Sequence, residues 1–320
     1  MKYIPFANTD FQVSNLCLGT MNFVSRCDYP TSEGIVKFAW EQGVNFFDTA
    51  AMYSAGEAEV YFGRAVKQLP REKLFVVTKV VSGIDRASIL SSIDESLSRL
   101  QMDYVDLYLI HWPVTGMHIV EMMEALNQVV SSGKARKIGV CNFPAYLLAA
   151  ANGVATQNGW EKLCCNQVAY NLIERGVEVE ILPQAVLENI AIMTYRPLVI
   201  GLLTGKFRQG MPMDPATRGA TDSRVITWFS QYSDSLERFY EFAENKGVSP
   251  SQLALAWLLH SPAVTAPIVG ASSIQQLSST LQANEVELSD YEYRTVTSIF
   301  NTDVKEESTQ LFPGNKYNFP

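Results

Sequence analysis

Apolar positions along the chain fall into two alternating rhythms. Short, almost continuously apolar runs occur at Leu16–Gly19, Asn45–Thr49, Leu74–Lys79, Val105–His111, Lys137–Asn142, Cys165–Tyr170, Ile190–Tyr195 and Val264–Val269. That pattern belongs to strands buried on both faces. Between them lie segments with apolar residues at helical spacing: Thr31–Gln42, Glu57–Gln68, Asp85–Leu100, His118–Ser132, Pro144–Ala151, Val179–Asn189, Ser249–His260 and Ile274–Ala283. In the third of these, Ile89, Ile93, Leu97 and Leu100 share one face. Thr31 is placed as an N-cap, and Gly43 and Gly133 as stops.

A strand followed by a helix, repeated eight times over this chain, predicts a parallel sheet closed into an α/β, (β/α)8 TIM barrel. Residues 2–14 (KYIPFANTDFQVS) predict an additional N-terminal β-hairpin turning at Asn8-Thr9-Asp10. A long loop, Phe207–Tyr232, follows the seventh strand. Loops of that length usually carry function. The 320 residues suit one barrel domain spanning 1–320.

Composition narrows the function. A net charge of −8 argues against a nucleic-acid partner, since phosphate backbones attract basic surfaces. Among Cys17, Cys27, Cys141, Cys164 and Cys165 there is no C-x-x-C, so the reading is reduced thiols without a metal. There is no apolar run of about 18 residues and no signal-peptide core at the N-terminus. The expectation is a cytoplasmic protein without a membrane partner.

A barrel gathers its chemistry at the C-terminal ends of its strands. In this sequence those ends carry Asp48, Lys79, His111, Cys141-Asn142 and Tyr195, with Asn166 and Gln167 in the sixth run and Tyr53 just beyond Asp48. Taken singly, each has a bland role as a cap, a solvated charge or core packing. Together at one rim they describe a proton donor for a carbonyl oxygen. Tyr53 is the acid, Lys79 is expected to bring it below its ordinary pKa of about 10, Asp48 holds Lys79, and His111 orients the carbonyl. A glycosidase would need a second facing carboxylate; Asp106 and Glu174 are the other candidates.

The stretches FFDTAAMYSAGEAEVYFGRAVK, VVTKV, VDLYLIHWP, KIGVCNF, CNQVAYNLIER, YRPLVIGLLTGK and VGASSIQQL resemble the aldo-keto reductase family over nearly the whole chain. The resemblance implies a catalytic tetrad of Asp48, Tyr53, Lys79 and His111, reduction of an aldehyde or ketone by NAD(P)H, and a hairpin that plugs the far end of the barrel. It also implies a cofactor site. Gly19, Thr20, Met21 and Asp48 would lie near the nicotinamide. Asn142 and Gln167 would hold its carboxamide, and Tyr195 would stack on it. Leu198, Ile200 and Lys206 would follow the pyrophosphate, while Gly270, Ser272 and Gln276 would surround the adenosine. No G-x-G-x-x-G follows the first strand, so a Rossmann site is not expected. Family habit implies NADP, with NAD possible.

The chain departs from the family pattern in three places, five residues in all. Cys141 stands where serine is usual. Ser272-Ser273 stand where Arg or Lys is frequent, and Ser279-Thr280 where Glu-Asn is frequent. Arg218 or Arg224 is the candidate replacement cation for a 2′-phosphate. The pocket walls are expected from Phe23, Met52, Tyr53, Trp112, Phe143 and the loops. The alternative function is a cofactor-binding regulatory subunit with little turnover, as in potassium-channel β-subunits of that family.

Overall fold

The computed structural model describes residues 1–80, 83–213, 215 and 217–300, with backbone alone at 218 and 219. An antiparallel pair, β1 (Tyr3–Pro5) and β2 (Gln12–Ser14), precedes the barrel strands. These are β3 (Cys17–Gly19), β4 (Phe46–Asp48), β5 (Phe75–Val80), β6 (Val105–Ile110), β7 (Ala135–Cys141), β8 (Leu163–Ala169), β9 (Ala191–Tyr195) and β10 (Ala266–Val269). They close in sequence order, β10 pairing with both β9 and β3, and every neighbouring pair is parallel. All eight expected strands are present.

The helices are α1 (Tyr29–Glu41), α2 (Glu57–Val66), α3 (Arg86–Leu100), α4 (Ile119–Ser131), α5 (Ala145–Asn158), α6 (Ile181–Glu188), α7 (Arg218–Thr221), α8 (Ser223–Lys246), α9 (Pro250–His260), α10 (Ile274–Leu281) and α11 (Asp290–Ile299). Two apolar layers result, because successive strand residues point to opposite faces. One fills the barrel interior and includes Cys17, Phe46, Val77, Leu107, Leu109, Cys165 and Met193. The larger one lies between strands and helices.

The hairpin closes one end of the interior. Phe6 and Val13 are fully buried, and Phe6 packs on Phe46 and Phe75 with ring centroids 5.7 and 4.7 Å apart. Below this aromatic plug, Asp106 binds Arg71 at 2.8 Å and Arg136 at 3.2 Å, and accepts the Val76 amide. Asp106 is the second residue of β6, at the end of the barrel opposite the rim that carries Asp48 and Lys79, so it is not the second carboxylate a glycosidase requires. Glu174 is engaged by Arg196.

Several boundaries differ from the sequence expectation. Asp28, not Thr31, caps α1; its carboxylate accepts the Thr31 amide at 3.0 Å. Helix α5 runs on to Asn158 and ends where Gly159 adopts φ +67°, a left-handed stop that glycine favours. A long connection does follow β9, but it is helical over Arg218–Thr221 and again from Ser223 onward. Asp222 caps α8, which buries Val225, Leu236, Phe239, Tyr240 and Ala243. Helix α11 was not anticipated. It opens with a reciprocal capping box between Ser289 and Glu292.

Candidate active site

The strand ends bring the predicted side chains to one rim. Asp48 is the last residue of β4, and Lys79 lies one residue before the end of β5. Both are completely withdrawn from solvent and paired, with Lys79 Nζ 2.8 Å from Asp48 Oδ1. Lys79 also donates to the Thr49 carbonyl at 2.7 Å and to the Tyr53 hydroxyl at 3.4 Å. Gln167 on β8 donates to the other Asp48 oxygen at 2.8 Å. Each carboxylate oxygen therefore has a donor, as a buried charge requires.

These contacts set the protonation states. Burial is the largest single influence and would lower the Lys79 pKa, but the Asp48 charge and hydrogen bond, with Tyr53 and Cys141 beside them, together outweigh it and the net shift is upward. Lys79 is therefore a fixed cation. Burial pushes the Tyr53 hydroxyl up to about 12, with the Lys79 ammonium pulling in the opposite direction. This corrects the expectation that Lys79 brings the phenol below its ordinary value: in the protein alone, desolvation wins. Burial, reinforced by Lys79, holds His111 well below the usual imidazole range, so His111 is neutral at neutral pH. The His111 ring meets Tyr53 edge to face at 6.2 Å, and its Nδ1 is buried without a partner.

Tyr53 opens a tight turn, Tyr53–Gly56, between β4 and α2. Ser54 and Ala55 take left-handed φ values of 50° and 54°, and Gly56 follows at 93°. Such conformations are costly for residues other than glycine.

The residues assigned to a cofactor divide into three groups. At the rim, Asn142 has φ +60° directly after β7, and its Oδ1 accepts the Tyr195 hydroxyl at 2.8 Å. Gly19 ends β3 where an added Cβ would stand 2.7 Å from Ile268. Thr20 is buried with its hydroxyl unpartnered, while Met21 is half exposed. Along the connection after β9, Leu198 and Ile200 are partly buried against the core and Lys206 is exposed. Beyond β10, Gln276 Oε1 accepts both the amide and hydroxyl of Ser272 at 2.9 Å, and Ser273 caps α10. Gly270 is exposed near Asn22.

Two expected details change. Phe23 and Phe143 have no exposed surface, so they support the rim from below, while Met52 and Trp112 retain surface. Arg224 is paired with Asp222 at 2.7 Å, and the Arg218 side chain lies outside the described residues. Burial pushes the Cys141 thiol upward at its place beside Asn142, so it is a neutral wall. Sequence reasoning missed Glu59. It is a fully buried carboxylate on α2 that accepts from Thr78 and Arg99. A glutamate in the first turn of a helix ordinarily reads as a solvated complement to the helix dipole.

Among the described residues, no group of three or more His, Cys, Asp or Glu side chains is arranged to hold a metal ion. None of the described helices is long and apolar enough to cross a membrane.

Comparison with known proteins identifies the family. The model of the "Aldo/keto reductase family" matches residues 15–301. The "Uncharacterized oxidoreductase YrpG" of Bacillus subtilis (strain 168) is 33% identical, covering 94% of this chain and 96% of that protein. "Norsolorinic acid reductase B" of Aspergillus parasiticus is 30% identical, covering 91% of this chain and 82% of its own. "Aldo-keto reductase YhdN" of Bacillus subtilis is 29% identical over 96% of both chains. With a closed eight-stranded barrel beneath a match of this extent, the chain belongs to the aldo/keto reductase family and is an NAD(P)H-dependent oxidoreductase.

Proposed function

We propose that this enzyme reduces an apolar aldehyde or ketone to an alcohol, with Tyr53 as the general acid and NADPH as the preferred reductant, NADH being accepted. One observation carries the reading. A fixed ammonium, Lys79, lies 3.4 Å from the Tyr53 hydroxyl in a buried cluster at the barrel rim. When bound, the reduced nicotinamide supplies hydride to the carbonyl carbon.

The remaining chemistry belongs to the chain. A phenol at about 12 is fully protonated at neutral pH, as an acid must be. The substrate oxygen sits between the Tyr53 hydroxyl and neutral His111, takes a hydrogen bond from each, and receives the Tyr53 proton. The phenolate left behind is stabilised by Lys79, whose own charge Asp48 and Thr49 hold in place. Nothing in the ion pair has to reorganise at that moment.

Observations in the structure support a cofactor at the same rim. Thr20 and Thr49 have buried hydroxyls without partners, and Tyr195, hydrogen-bonded to Asn142, keeps part of its surface exposed. Asn142 and Gln167 would hold a carboxamide, and Tyr195 offers an aromatic face. Gly19, Thr20, Met21 and Asp48 would line the ring. Leu198, Ile200 and Lys206 would follow the pyrophosphate, while Gly270, Ser272 and Gln276 would meet the adenosine. Met52 and Trp112 give the substrate an apolar wall.

A panel of aldehydes and ketones, followed by NADPH and NADH absorbance, tests this function. Tyr53→Phe is expected to lower kcat at least about 10²-fold while cofactor binding persists. Near-normal turnover by the folded variant would remove Tyr53 from the role. Tight cofactor binding without turnover on any carbonyl would favour a regulatory subunit instead.

A further inference from the structure

The turn that carries Tyr53 is a single 3-10 turn, Tyr53–Gly56, closed by the Glu57 amide on the Tyr53 and Ser54 carbonyls. Its three following residues, Ser54, Ala55 and Gly56, are all left-handed, and such a stretch persists only where its surroundings determine it. Two contacts do so. On one side, the Ser54 hydroxyl donates to the Phe23 carbonyl at 3.2 Å. On the other, Arg99 of α3 lies flat against the bare face of Gly56. A Cβ at that position would stand 2.7 Å from Arg99 Cδ and 2.8 Å from Arg99 Nε.

Arg99 is itself held. Its Nε donates to Glu59 Oε2 at 2.6 Å, and its terminal nitrogens reach Ser96 and Glu95. Glu59 is completely buried, and its other oxygen accepts the Thr78 hydroxyl at 2.5 Å. Thr78 directly precedes Lys79 on β5 and points to the opposite face. The chain of contacts therefore runs from the strand that carries Lys79, through Thr78, Glu59 and Arg99, to the turn that carries Tyr53. A fully buried carboxylate is rare unless paired, and this one joins the two elements whose spacing sets the 3.4 Å separation between ammonium and phenol.

We propose that Arg99, anchored by Glu59 and Thr78, is a positioning residue that buttresses the Gly56 turn and so fixes the Tyr53 hydroxyl against Lys79. This rests on the reading of Tyr53 as the acid. Arg99 touches neither substrate nor cofactor; it acts through the tyrosine. Misplacing a reacting group by about 1 Å can reduce rate by up to about 10²-fold, so the loss of the buttress falls on kcat.

The test compares the wild type, Arg99→Ala, Glu59→Gln, Tyr53→Phe and the double variants Tyr53→Phe/Arg99→Ala and Tyr53→Phe/Glu59→Gln. Each full-length chain is assayed for kcat and carbonyl KM, and by tryptophan fluorescence for NADPH binding. Single-turnover assays reach the slow variants. Arg99→Ala is expected to lower kcat about tenfold or more, leave KM and NADPH affinity within about twofold, and bring no further loss in the Tyr53→Phe background. Glu59→Gln should act in the same direction with the same split. An unchanged kcat in Arg99→Ala overturns the proposal. So does an equal fold-loss in the Tyr53→Phe background, which would mark a general structural defect. If Arg99→Ala does not fold, the Glu59→Gln pair gives the same decision. Should Tyr53→Phe alone retain normal turnover, the acid assignment fails first and the buttress falls with it. That outcome is visible before any Arg99 variant is assayed.

Discussion

Lys79 Nζ stands 3.4 Å from the Tyr53 hydroxyl, farther than its 2.8 Å bond to Asp48 and its 2.7 Å bond to the Thr49 carbonyl. The ammonium is thus committed to the barrel wall and only loosely to the phenol. That inequality suits a group whose work begins after the proton leaves. A tighter bond to the neutral phenol would stabilise the ground state as well, and that share of the interaction, common to ground and transition state, does not raise kcat.

The pH dependence follows with a definite sign. Burial raises Tyr53 to about 12 and Lys79 opposes it. With Tyr53 as the proposed acid, the reverse direction, alcohol oxidation, requires its phenolate. Below its pKa the phenolate fraction rises tenfold per pH unit, so kcat/KM for oxidation is expected to climb with unit slope from about pH 7 to about pH 10. Lys79→Met removes the opposing cation, raises Tyr53 further, and should lower oxidation at a given pH by about tenfold or more. The effect should vanish in Tyr53→Phe. A pH–rate profile unchanged by Lys79→Met would contradict the electrostatic account.

His111 makes a separate prediction, on stability. Burial and the Lys79 charge hold it neutral in the folded protein, whereas the unfolded chain takes up its proton near about pH 6.5. Below that value the unfolded state binds more protons, so this contribution to stability is complete above about 6.5 and is lost as the pH falls toward the folded pKa. Denaturant titrations of wild type and His111→Gln between about pH 7 and about pH 5 should diverge. The wild type is expected to lose about 1–2 kcal/mol more than the variant. Parallel curves would mean that His111 takes up its proton in the folded protein as well.

The barrel was legible because β5 and β6, at Phe75–Val80 and Val105–Ile110, are buried at every position and so read as runs that are apolar apart from Thr78, Lys79 and Asp106. The rim was legible because Asp48, Lys79 and His111 interrupt such runs at their ends. Glu59 was not legible, because its partner Arg99 lies forty residues away and nothing local distinguishes it from a solvated helix charge. Helix α8 was obscured by the Gly- and Pro-containing stretch before it, although Val225, Leu236, Phe239, Tyr240 and Ala243 form one buried face. The Tyr53 pKa was misjudged because a sequence names the neighbouring charge but does not measure desolvation, which here is the larger effect.

The Asp48–Lys79 pair predicts a stability loss that depends on which partner remains. Both side chains are withdrawn from water, so removing one leaves an uncompensated buried charge. Asp48→Asn should destabilise by about 3–5 kcal/mol, whereas the double substitution Asp48→Asn/Lys79→Met should recover much of it. Urea titration of the two variants checks the difference. A loss under about 1 kcal/mol in Asp48→Asn would show that Lys79 sheds its proton or reaches water easily. Its role as a fixed cation would then be lost.

Cofactor selectivity turns on the start of α10. Ser272 and Ser273 offer hydroxyls and no positive charge there, and Ser272 is engaged by Gln276. Arg224 is occupied by Asp222. A 2′-phosphate is normally held by a guanidinium or ammonium, so discrimination between NADPH and NADH is expected to stay within about tenfold, a difference of about 1.4 kcal/mol. The choice of variant follows from the fold. Ser273 is the α10 N-cap, accepting the Gln276 amide at 3.2 Å, and replacing it would cost about 1 kcal/mol of helix stability. Ser272 lies outside the cap. Ser272→Arg should therefore tighten NADPH by about tenfold while changing NADH by less than about threefold, because only the former carries the additional phosphate for the guanidinium to pair with. Titration of both cofactors by tryptophan fluorescence separates the outcomes. Equal changes would place position 272 away from the 2′-phosphate. Strong NADPH preference in the unmodified chain would require another cation. Arg224 is the first to replace, since freeing it from Asp222 exchanges one ion pair for another at little net cost.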